Sequence, residues 1–324
     1  MQIPLGGMWA ALVLAIVMMA IATPALQPIA GSATASVGPI RVDAVPVPLN
    51  PQDPSATAIG EFSYAGGLML QSHQTTLLHE LSDIVATGPD RFAAVGDGGV
   101  LLEARFVLDQ SRRLVGVADA TLTRLIGQNG KPLTNGNADA EGLTILPTGD
   151  RLISFERVPR ILRYPQDGGL PRAVPSPRAS SPSNEGMEAL AAIPEVGPDA
   201  YVVGVEHSGH TWLCRLSSGC VRGPTIDKPK EFGLVSMNRV SEGVTAYLLR
   251  AYDPNRHNRI TLKILRGTNV IARMDMARPM TIDNFEGITS VAGANGSRRF
   301  YLISDDNNLA TQRTLLFAFD WQPR

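Results

Sequence analysis

Acidic residues recur in this sequence beside short apolar segments, in the order acid, apolar segment, turn, apolar segment, second acid. The residues that open the first segment of each copy are Asp83, Glu141, Glu188, Asn238 and Glu286. The residues that close the second segment are Asp97, Glu156, Glu206, Arg250 and Asp305. A single acid at a strand end often only caps a turn. Recurrence at equivalent positions favours a shared site instead.

Carboxylates are the ligands that hard cations prefer, and Ca²⁺ takes about six to eight oxygen ligands. A ring of carboxylates also repels itself, so bound Ca²⁺, neighbouring arginines or raised pKa values must offset its charge. We therefore predict Ca²⁺ as a cofactor. The candidate metal ligands are Asp83, Asp97, Glu141, Glu156, Glu188, Glu206, Glu286, Asp305 and Asp306. The richest oxygen cluster is Asp305 with Asp306, followed by Asn307.

Three arginines stand beside these acids: Arg157, Arg250 and Arg313. Because a guanidinium presents a planar fork that matches phosphate and carboxylate oxygens, we predict that they bind a small anionic ester. In this hypothesis a metal polarises the ester and positions or ionises a water molecule. The candidate catalytic carboxylates are Glu141, Glu188, Glu286 and Asp305. In the alternative, each arginine pairs only with its neighbouring acid.

The elements that must position these residues are short strands. Runs of Val, Ile, Leu, Phe and Tyr are bounded by Gly, Pro, Asp and Asn, with almost no helical periodicity. The five opening residues are separated by 58, 47, 50 and 48 positions. A period of about 40 to 50 residues with four strands per unit is typical of propeller blades. The sequence predicts an all-β fold, a β-propeller of five four-stranded blades, or six if the long first interval holds another.

The last of these units is one strand short before the chain ends. A surplus strand at residues 61–70 would fill the vacant place and close the ring, which removes exposed sheet edges. In a closed propeller the first strand of each blade lines a central channel. Both sets of acids would therefore converge on that channel.

Composition indicates a folded, exported protein. The chain has 324 residues, 44% of them hydrophobic, a net charge of −1 and no run of Lys or Arg, so no nucleic-acid partner is expected. Residues 1–35 have the apolar run of a signal peptide, or of an inner-membrane anchor if they are not cleaved. Residues 36–58 are predicted as a Pro/Ala-rich linker and residues 59–324 as the propeller. We expect a periplasmic or secreted protein that contacts the membrane only through an uncleaved N-terminal segment, and the sequence indicates no oligomeric state.

Cys214 and Cys220 flank a Ser-Ser-Gly turn in the segment CRLSSGC. In an oxidising compartment they could form a disulfide across a hairpin; the alternative is two free thiols. The sequence contains no G-x-S-x-G elbow, P-loop or dinucleotide fingerprint. His207 and His210 are three residues apart, so strand alternation would point them to opposite faces and disfavours a shared metal.

A series of short segments runs through the sequence in the order YAGGLML, LSDI, VGDGG, DAEGLTI, SFER, NEGMEAL, LLRAY, DNFEGI, LISDDN and QRTLLFAF. In content and in order, this series is similar to the phytase-like family, which is described as "esterase-like activity of phytase". The similarity runs from about residue 60 to residue 322. It implies an exported bacterial β-propeller that hydrolyses phosphoesters or other esters with the help of calcium. The chain departs from the family pattern at Asp83, because HELSDI stands where a Gly-rich stretch of the GGLSGL type is usual.

These observations lead to three hypotheses on function. The first is an exported, phytase-like hydrolase of a phosphoester or another ester, assisted by calcium. The second is a non-catalytic periplasmic propeller that binds a ligand or a partner, with the acids as structural calcium sites or backbone caps. The third is a lactonase-like hydrolase, since propellers of that kind also use channel carboxylates and one divalent ion.

Overall fold

The computed structural model describes Met1, residues 37–177 and residues 186–323. Over these ranges the fold is all-β, with five antiparallel sheets arranged as the blades of a propeller, so the prediction of five blades is confirmed. Apart from Met1, the segment predicted as a signal peptide or anchor lies outside the described residues. Within the described ranges, no helix is long and apolar enough to cross a membrane.

The N-terminal strands close the ring. They are β1 (Gly38–Pro39), β2 (Asp43–Pro46), β3 (Ala58–Ile59) and β4 (Phe62–Gln71). Strand β4 pairs with the last strand of the chain and supplies the fourth strand of the fifth blade, which confirms the predicted closure. Strand β1 joins the outer edge of the first blade, and β2 and β3 pair with β4. Strands β1 and β2, which lie within the segment predicted as a linker, therefore pair with strands of the propeller.

The remaining strands follow in blade order, and each blade runs from the channel to the rim. Blade 1 comprises β5 (Leu81–Ala86), β6 (Arg91–Gly96), β7 (Val100–Leu108) and β8 (Leu114–Arg124). Blade 2 comprises β9 (Ala140–Ile145), β10 (Arg151–Phe155), β11 (Arg160–Tyr164) and β12 (Arg172–Val174). Blade 3 comprises β13 (Ala189–Ala192), β14 (Ala200–Gly204), β15 (His210–Arg215) and β16 (Gly219–Thr225).

Blade 4 comprises β17 (Gly233–Ser241), β18 (Val244–Asp253), β19 (His257–Arg266) and β20 (Asn269–Met276). Blade 5 comprises β21 (Asn284–Ala292), β22 (Arg298–Asp305), β23 (Leu315–Trp321) and β4. Two short 3-10 helices, Asn135–Asn137 and Ala294–Gly296, lie in loops. In blade 3 a disulfide joins Cys214 of β15 to Cys220 of β16.

The hydrophobic core is divided into five layers, one between each pair of neighbouring blades. Between blades 5 and 1, Phe106 stacks on Phe92 and on Tyr301, with ring centroids 4.5 and 3.7 Å away. Both faces of a blade are thus covered, and a strand such as β22 is buried along nearly its whole length instead of alternating. This explains why the acids at strand ends directly adjoin apolar residues.

The innermost strands are β5, β9, β13, β17 and β21, and each contacts the next around the channel. They approach so closely that two positions require glycine. A Cβ on Gly287 would lie 2.8 Å from the Cα of Asp83, and one on Gly142 would lie 2.5 Å from the carbonyl oxygen of Glu188. Because each inner strand forms an antiparallel hairpin with the second strand, the first begins where the second ends.

Candidate functional site

Side chains from both acid sets meet at the end of the channel where the inner strands begin. We call this site the acidic mouth. It comprises Asp97, Asp139, Glu141, Glu156, Glu188, Glu206, Arg250, Glu286 and Asp305. Their charges act on one another across blades, since several of the carboxylates raise the pKa of their neighbours. Sequence reasoning proposed eight of these nine residues and missed Asp139.

β-Bulges set the direction of the glutamates on the inner strands. The pairing of β21 with β22 shifts register between Phe285 and Gly287, so Glu286 is an extra residue of β21. A similar shift between Ile153 and Phe155 of β10 falls opposite Glu141. A bulge bends a strand and re-aims a side chain. The two glutamates are thereby placed at the mouth rather than between blades.

Asp97, Asp139 and Glu141 form the tightest carboxylate cluster among the described residues, with one oxygen of each within 4.8 Å of the others. Asp97 follows β6 of blade 1, whereas the other two lie at the start of β9 in blade 2. Asp139 and Glu141 are two residues apart and share a face of the extended chain. That alternation is the signal by which Asp139 could have been found. Three hard oxygen donors at this spacing suit a cation such as Ca²⁺.

Glu141 and Glu188 have the most unused capacity to bind a cation. Among the described residues, neither carboxylate accepts a hydrogen bond or forms an ion pair. Burial raises the pKa of both well above its ordinary value, and neighbouring carboxylates raise it further. A largely desolvated carboxylate without a protein donor favours the binding of a proton or a cation.

Arg250 of β18 is the buried cation of the mouth. Its Nη2 lies 3.1 Å from Glu286 Oε1 and 3.6 Å from Glu206 Oε1. Its Nη1 donates to Asn284 Oδ1 at 2.5 Å, and Asn284 Nδ2 donates to Glu286 at 2.9 Å and to Asp305 at 3.2 Å. Burial alone would lower the pKa of Arg250, but the surrounding carboxylates, Glu286 foremost, raise it. The guanidinium is therefore charged and held from three sides.

The pKa is also raised at four further carboxylates of the mouth, namely Asp97, Glu156, Glu286 and Asp305. Burial, with the nearby Asp305 and Asp139, raises the pKa of Asp97 to about 8. Burial raises the pKa of Asp305 to about 6 and also raises that of Glu156. It raises the pKa of Glu286 despite the opposing effect of Arg250. The mouth thus has a high affinity for protons, and for any cation that replaces them.

Asp83 is a correction to the predicted ligand set, because it lies beneath the mouth and not in it. The register shift between Leu81 and Asp83 alters the phase of β5. Its carboxylate, which is 1% exposed, accepts hydrogen bonds from Leu143 N–H at 2.8 Å and from the Ser236 hydroxyl at 2.9 Å. These donors belong to blades 2 and 4. Asp83 is therefore a tie between blades across the channel.

Asp306 is the second correction. Its Oδ1 accepts hydrogen bonds from the backbone N–H groups of Glu80 at 3.0 Å and Asn308 at 3.1 Å. Its Oδ2 accepts a hydrogen bond from the Thr314 hydroxyl at 2.8 Å. These contacts make Asp306 the cap of the turn after β22, with its oxygens directed to the turn rather than to the mouth.

Arg157 and Arg313 lie at the rim, and both are paired with an acid. Arg157 Nε is 3.3 Å from Asp139 Oδ2, and its side chain is 73% exposed. Arg313 Nε is 3.0 Å from Asp283 Oδ2, and its Nη2 donates to the carbonyl of Ile282. The structure therefore separates the three predicted arginines into one buried in the mouth and two that are accessible around it.

Comparison with protein families gives one match. The family model described as "Phytase-like: Esterase-like activity of phytase" matches residues 76–210, which confirms the resemblance expected from the sequence over blades 1 and 2 and the start of blade 3. A search of curated protein sequences finds no match.

Solved structures with a similar fold include several propellers of low identity. A protein provisionally titled a gluconolactonase is 12% identical, with a TM-score of 0.46, over 90% of this chain and 92% of that one. Virginiamycin B lyase from Staphylococcus aureus is 10% identical, with a TM-score of 0.43, over 82% of this chain and 90% of that one. A streptogramin B lyase is 9% identical, with a TM-score of 0.43, over 88% of both chains.

Proposed function

We propose that this protein is a calcium-assisted propeller hydrolase that acts on a phosphoester or another ester at the acidic mouth. The observation that carries the proposal is the cluster of Asp97, Asp139 and Glu141, with one oxygen of each within 4.8 Å of the others. The phytase-like family match, which covers the strands that carry this cluster, supports the reaction class.

The charge of the mouth supports a bound cation. Eight carboxylates surround one buried guanidinium there, and Glu141 and Glu188 have no hydrogen-bond donor among the described residues. Ca²⁺ fits this donor set because every candidate ligand is a hard oxygen. Asp97, Asp139 and Glu141 would hold the ion, with Glu188, whose charge raises the pKa of Glu141, beside them. When bound, it would supply Lewis acidity toward an ester oxygen and toward water.

The chain's own residues would bind and orient the ester. Arg157 is exposed beside the cluster and presents a guanidinium to phosphate or carboxylate oxygens arriving from solvent. Arg250 would contribute fixed positive charge from the floor of the mouth. Glu286 and Asp305, hydrogen-bonded through Asn284, are placed to hold or move a proton.

The test uses metal-stripped protein and a panel of phosphomonoesters, phosphodiesters, carboxylic esters and lactones, each assayed with and without Ca²⁺. We expect turnover of at least one class to require the metal. Elemental analysis should find the metal in wild-type protein and less of it in Glu141→Gln and Glu188→Gln. Asp90→Asn is the matched control, because this exposed acid lies at the other end of the β5–β6 hairpin. Full turnover in both glutamine variants would refute the proposal.

A non-catalytic binding propeller is the second candidate. The observation in its favour is that Asp83 and Asp306 serve only the packing of blades and turns. If the remaining acids have the same role, calcium should raise the melting temperature of the wild-type protein while no ester in the panel is hydrolysed.

We also propose that the protein is exported. The support is the disulfide between Cys214 and Cys220, because such bonds persist in oxidising compartments, together with the apolar residues near the N-terminus. Cell fractionation with N-terminal sequencing tests this. A periplasmic protein that begins near residue 36 would indicate a cleaved signal, and a full-length membrane-bound protein would indicate an anchor. A full-length cytoplasmic protein with free thiols would contradict export.

A further inference from the structure

The opposite end of the channel opens into a second cavity of about 450 Å³ that the proposed function does not use. All five inner strands contribute to its wall, including Val85, Thr144, Ala192, Asn238 and Thr289. We call it the lower cavity. The tie formed by Asp83 lies between it and the acidic mouth. A ligand in one site would therefore not contact a ligand in the other.

Two buried threonine hydroxyls of the lower cavity each accept a hydrogen bond but do not donate one to another described residue. Thr144 Oγ1 accepts a hydrogen bond from Ala192 N–H at 2.9 Å, and Thr289 Oγ1 accepts one from Ala86 N–H at 2.8 Å. The two threonines are 6% and 1% exposed, and neither hydroxyl donates a hydrogen bond to any residue that the structure describes. A buried donor without an acceptor is costly, so each O–H favours an acceptor supplied from the cavity.

Asn238 adds a third donor group to the same wall. Its Oδ1 accepts a hydrogen bond from the Ser290 hydroxyl at 2.6 Å. Its Nδ2 has no acceptor within the described part of the chain, so two N–H groups are available. Sequence reasoning placed Asn238 among the channel acids, but it lies at this far end of β17.

The charges around the lower cavity disfavour an ionic ligand. Arg239 forms an ion pair with Glu195 and donates to the Thr245 hydroxyl, so its charge is already balanced, and only its Nε–H lacks an acceptor among the described residues. Glu242 is exposed on the turn after β17 and is screened by solvent. A carboxylate would be buried without a counter-charge, which is costly. Val85, Ile145 and Pro194 make much of the remaining wall apolar.

We propose that the lower cavity binds a small uncharged molecule that has an apolar body and a carbonyl oxygen. The carbonyl oxygen, which has two lone pairs, accepts hydrogen bonds from Asn238 Nδ2 and the Thr144 hydroxyl, and the body packs on the apolar wall. A volume of about 450 Å³ is within the range of small-molecule sites. The site is independent of the metal and of the acids at the mouth.

The test compares three probes that share one ring: cyclohexanecarboxamide, cyclohexanecarboxylate and cyclohexylmethylamine. Ligand-observed NMR should detect binding of the carboxamide, and weaker or no binding of the two ions. Asn238→Asp keeps the shape and the acceptor for Ser290 but replaces the donors with a carboxylate. We expect it to weaken carboxamide binding about tenfold or more and to favour the amine. Asn269→Asp, on the exposed outer strand β20, should leave binding unchanged.

A second pair of variants tests the proposal independently if Asn238→Asp does not fold. Thr144→Ser keeps a hydroxyl and should keep binding, whereas Thr144→Val removes the donor and should weaken it. Metal removal and Glu141→Gln should have no effect, which separates this site from the acidic mouth. Equal binding of all three probes, or unchanged carboxamide binding in Asn238→Asp or Thr144→Val, would overturn the proposal.

Discussion

In the metal-free protein, the free energy of unfolding should decrease as the pH rises from 5 to 8. The folded-state pKa values of Asp97 and Asp305 are raised from 3.8 to about 8 and about 6. The folded protein therefore binds more protons than the unfolded chain over this range. Stability falls with pH wherever the folded state binds more protons, so the contribution is fully present below about pH 4 and is lost as each group ionises.

The size of the effect follows from the raised pKa values. A rise of about two units at Asp305 corresponds to about 3 kcal/mol of stability below pH 4, of which about 1.4 kcal/mol is still present at pH 5 and is lost by pH 8. The larger rise at Asp97 adds to it, although the two groups are coupled through their own repulsion. In a domain of this size each 1 kcal/mol changes the melting temperature by roughly 2 to 4 °C, so ionisation of Asp305 alone should lower it by roughly 3 to 6 °C between pH 5 and 8. Acids whose pKa is lowered, such as Asp150 and Asp275, are already ionised above pH 5 and do not mask this trend.

The assay is thermal unfolding of metal-stripped protein at pH 5, 6, 7 and 8, with wild type, Asp97→Asn and Asp305→Asn compared. The asparagine variants should lose much of the pH dependence, because they remove the group that ionises. Asp90→Asn should follow the wild-type curve. Calcium should restore stability most at pH 8, where it displaces the fewest protons. If the wild-type melting temperature is flat or rises between pH 5 and 8, or if Asp97→Asn has the same slope as wild type, the reasoning is refuted.

Three further substitutions test single contacts. Arg250→Met should destabilise the metal-free protein by about 3 kcal/mol or more at pH 8 and by less at pH 5, because protonated neighbours need no counter-charge; equal losses in denaturant titrations at both pH values would contradict this. Asp83→Asn should lower the free energy of unfolding by about 1 to 3 kcal/mol, because the new amide N–H₂ would face another donor, either Leu143 N–H or the Ser236 hydroxyl. The calcium-induced shift in melting temperature should be unchanged, and loss of that shift would show that Asp83 is a calcium ligand. Glu286→Gln should keep the melting temperature within a few degrees and lose most ester turnover, and full turnover in a kinetic assay would exclude Glu286 from catalysis.

The blades could be predicted because their signals are local. Short apolar runs, turn residues and a period near 50 residues recur along the chain whatever the tertiary contacts are, and a missing last strand requires a partner from the other terminus. The second acid set was also predictable. Antiparallel pairing alone returns the end of each second strand to the start of the first, which brings Asp97, Glu206 and Asp305 to one mouth.

The errors arise where a bulge or a neighbouring blade decides the direction of a side chain. Asp83 follows the register shift of β5, so alternation counted from the sequence places its side chain in the acidic mouth instead of beneath it. Asn238 was aligned with the acids by its spacing, but it lies in the second half of β17, opposite Ala246. Asp306 has the same residue type as Asp305, and only the donors Glu80 N–H and Thr314 hydroxyl identify it as a cap. Such contacts depend on the assembled ring.

The differences between blades give the mouth two chemically distinct sides. At the register shifts of β5 and β17 the chain has Ser82 and Val235 in place of an acid. Their blades contribute Asp97 and Arg250 from second strands instead. The carboxylate cluster therefore lies between blades 1 and 2, and the guanidinium lies between blades 4 and 5. A bound cation on the first side and a fixed cation on the second would approach an anionic ester from opposite directions, an arrangement that a uniform ring of five acids would not provide.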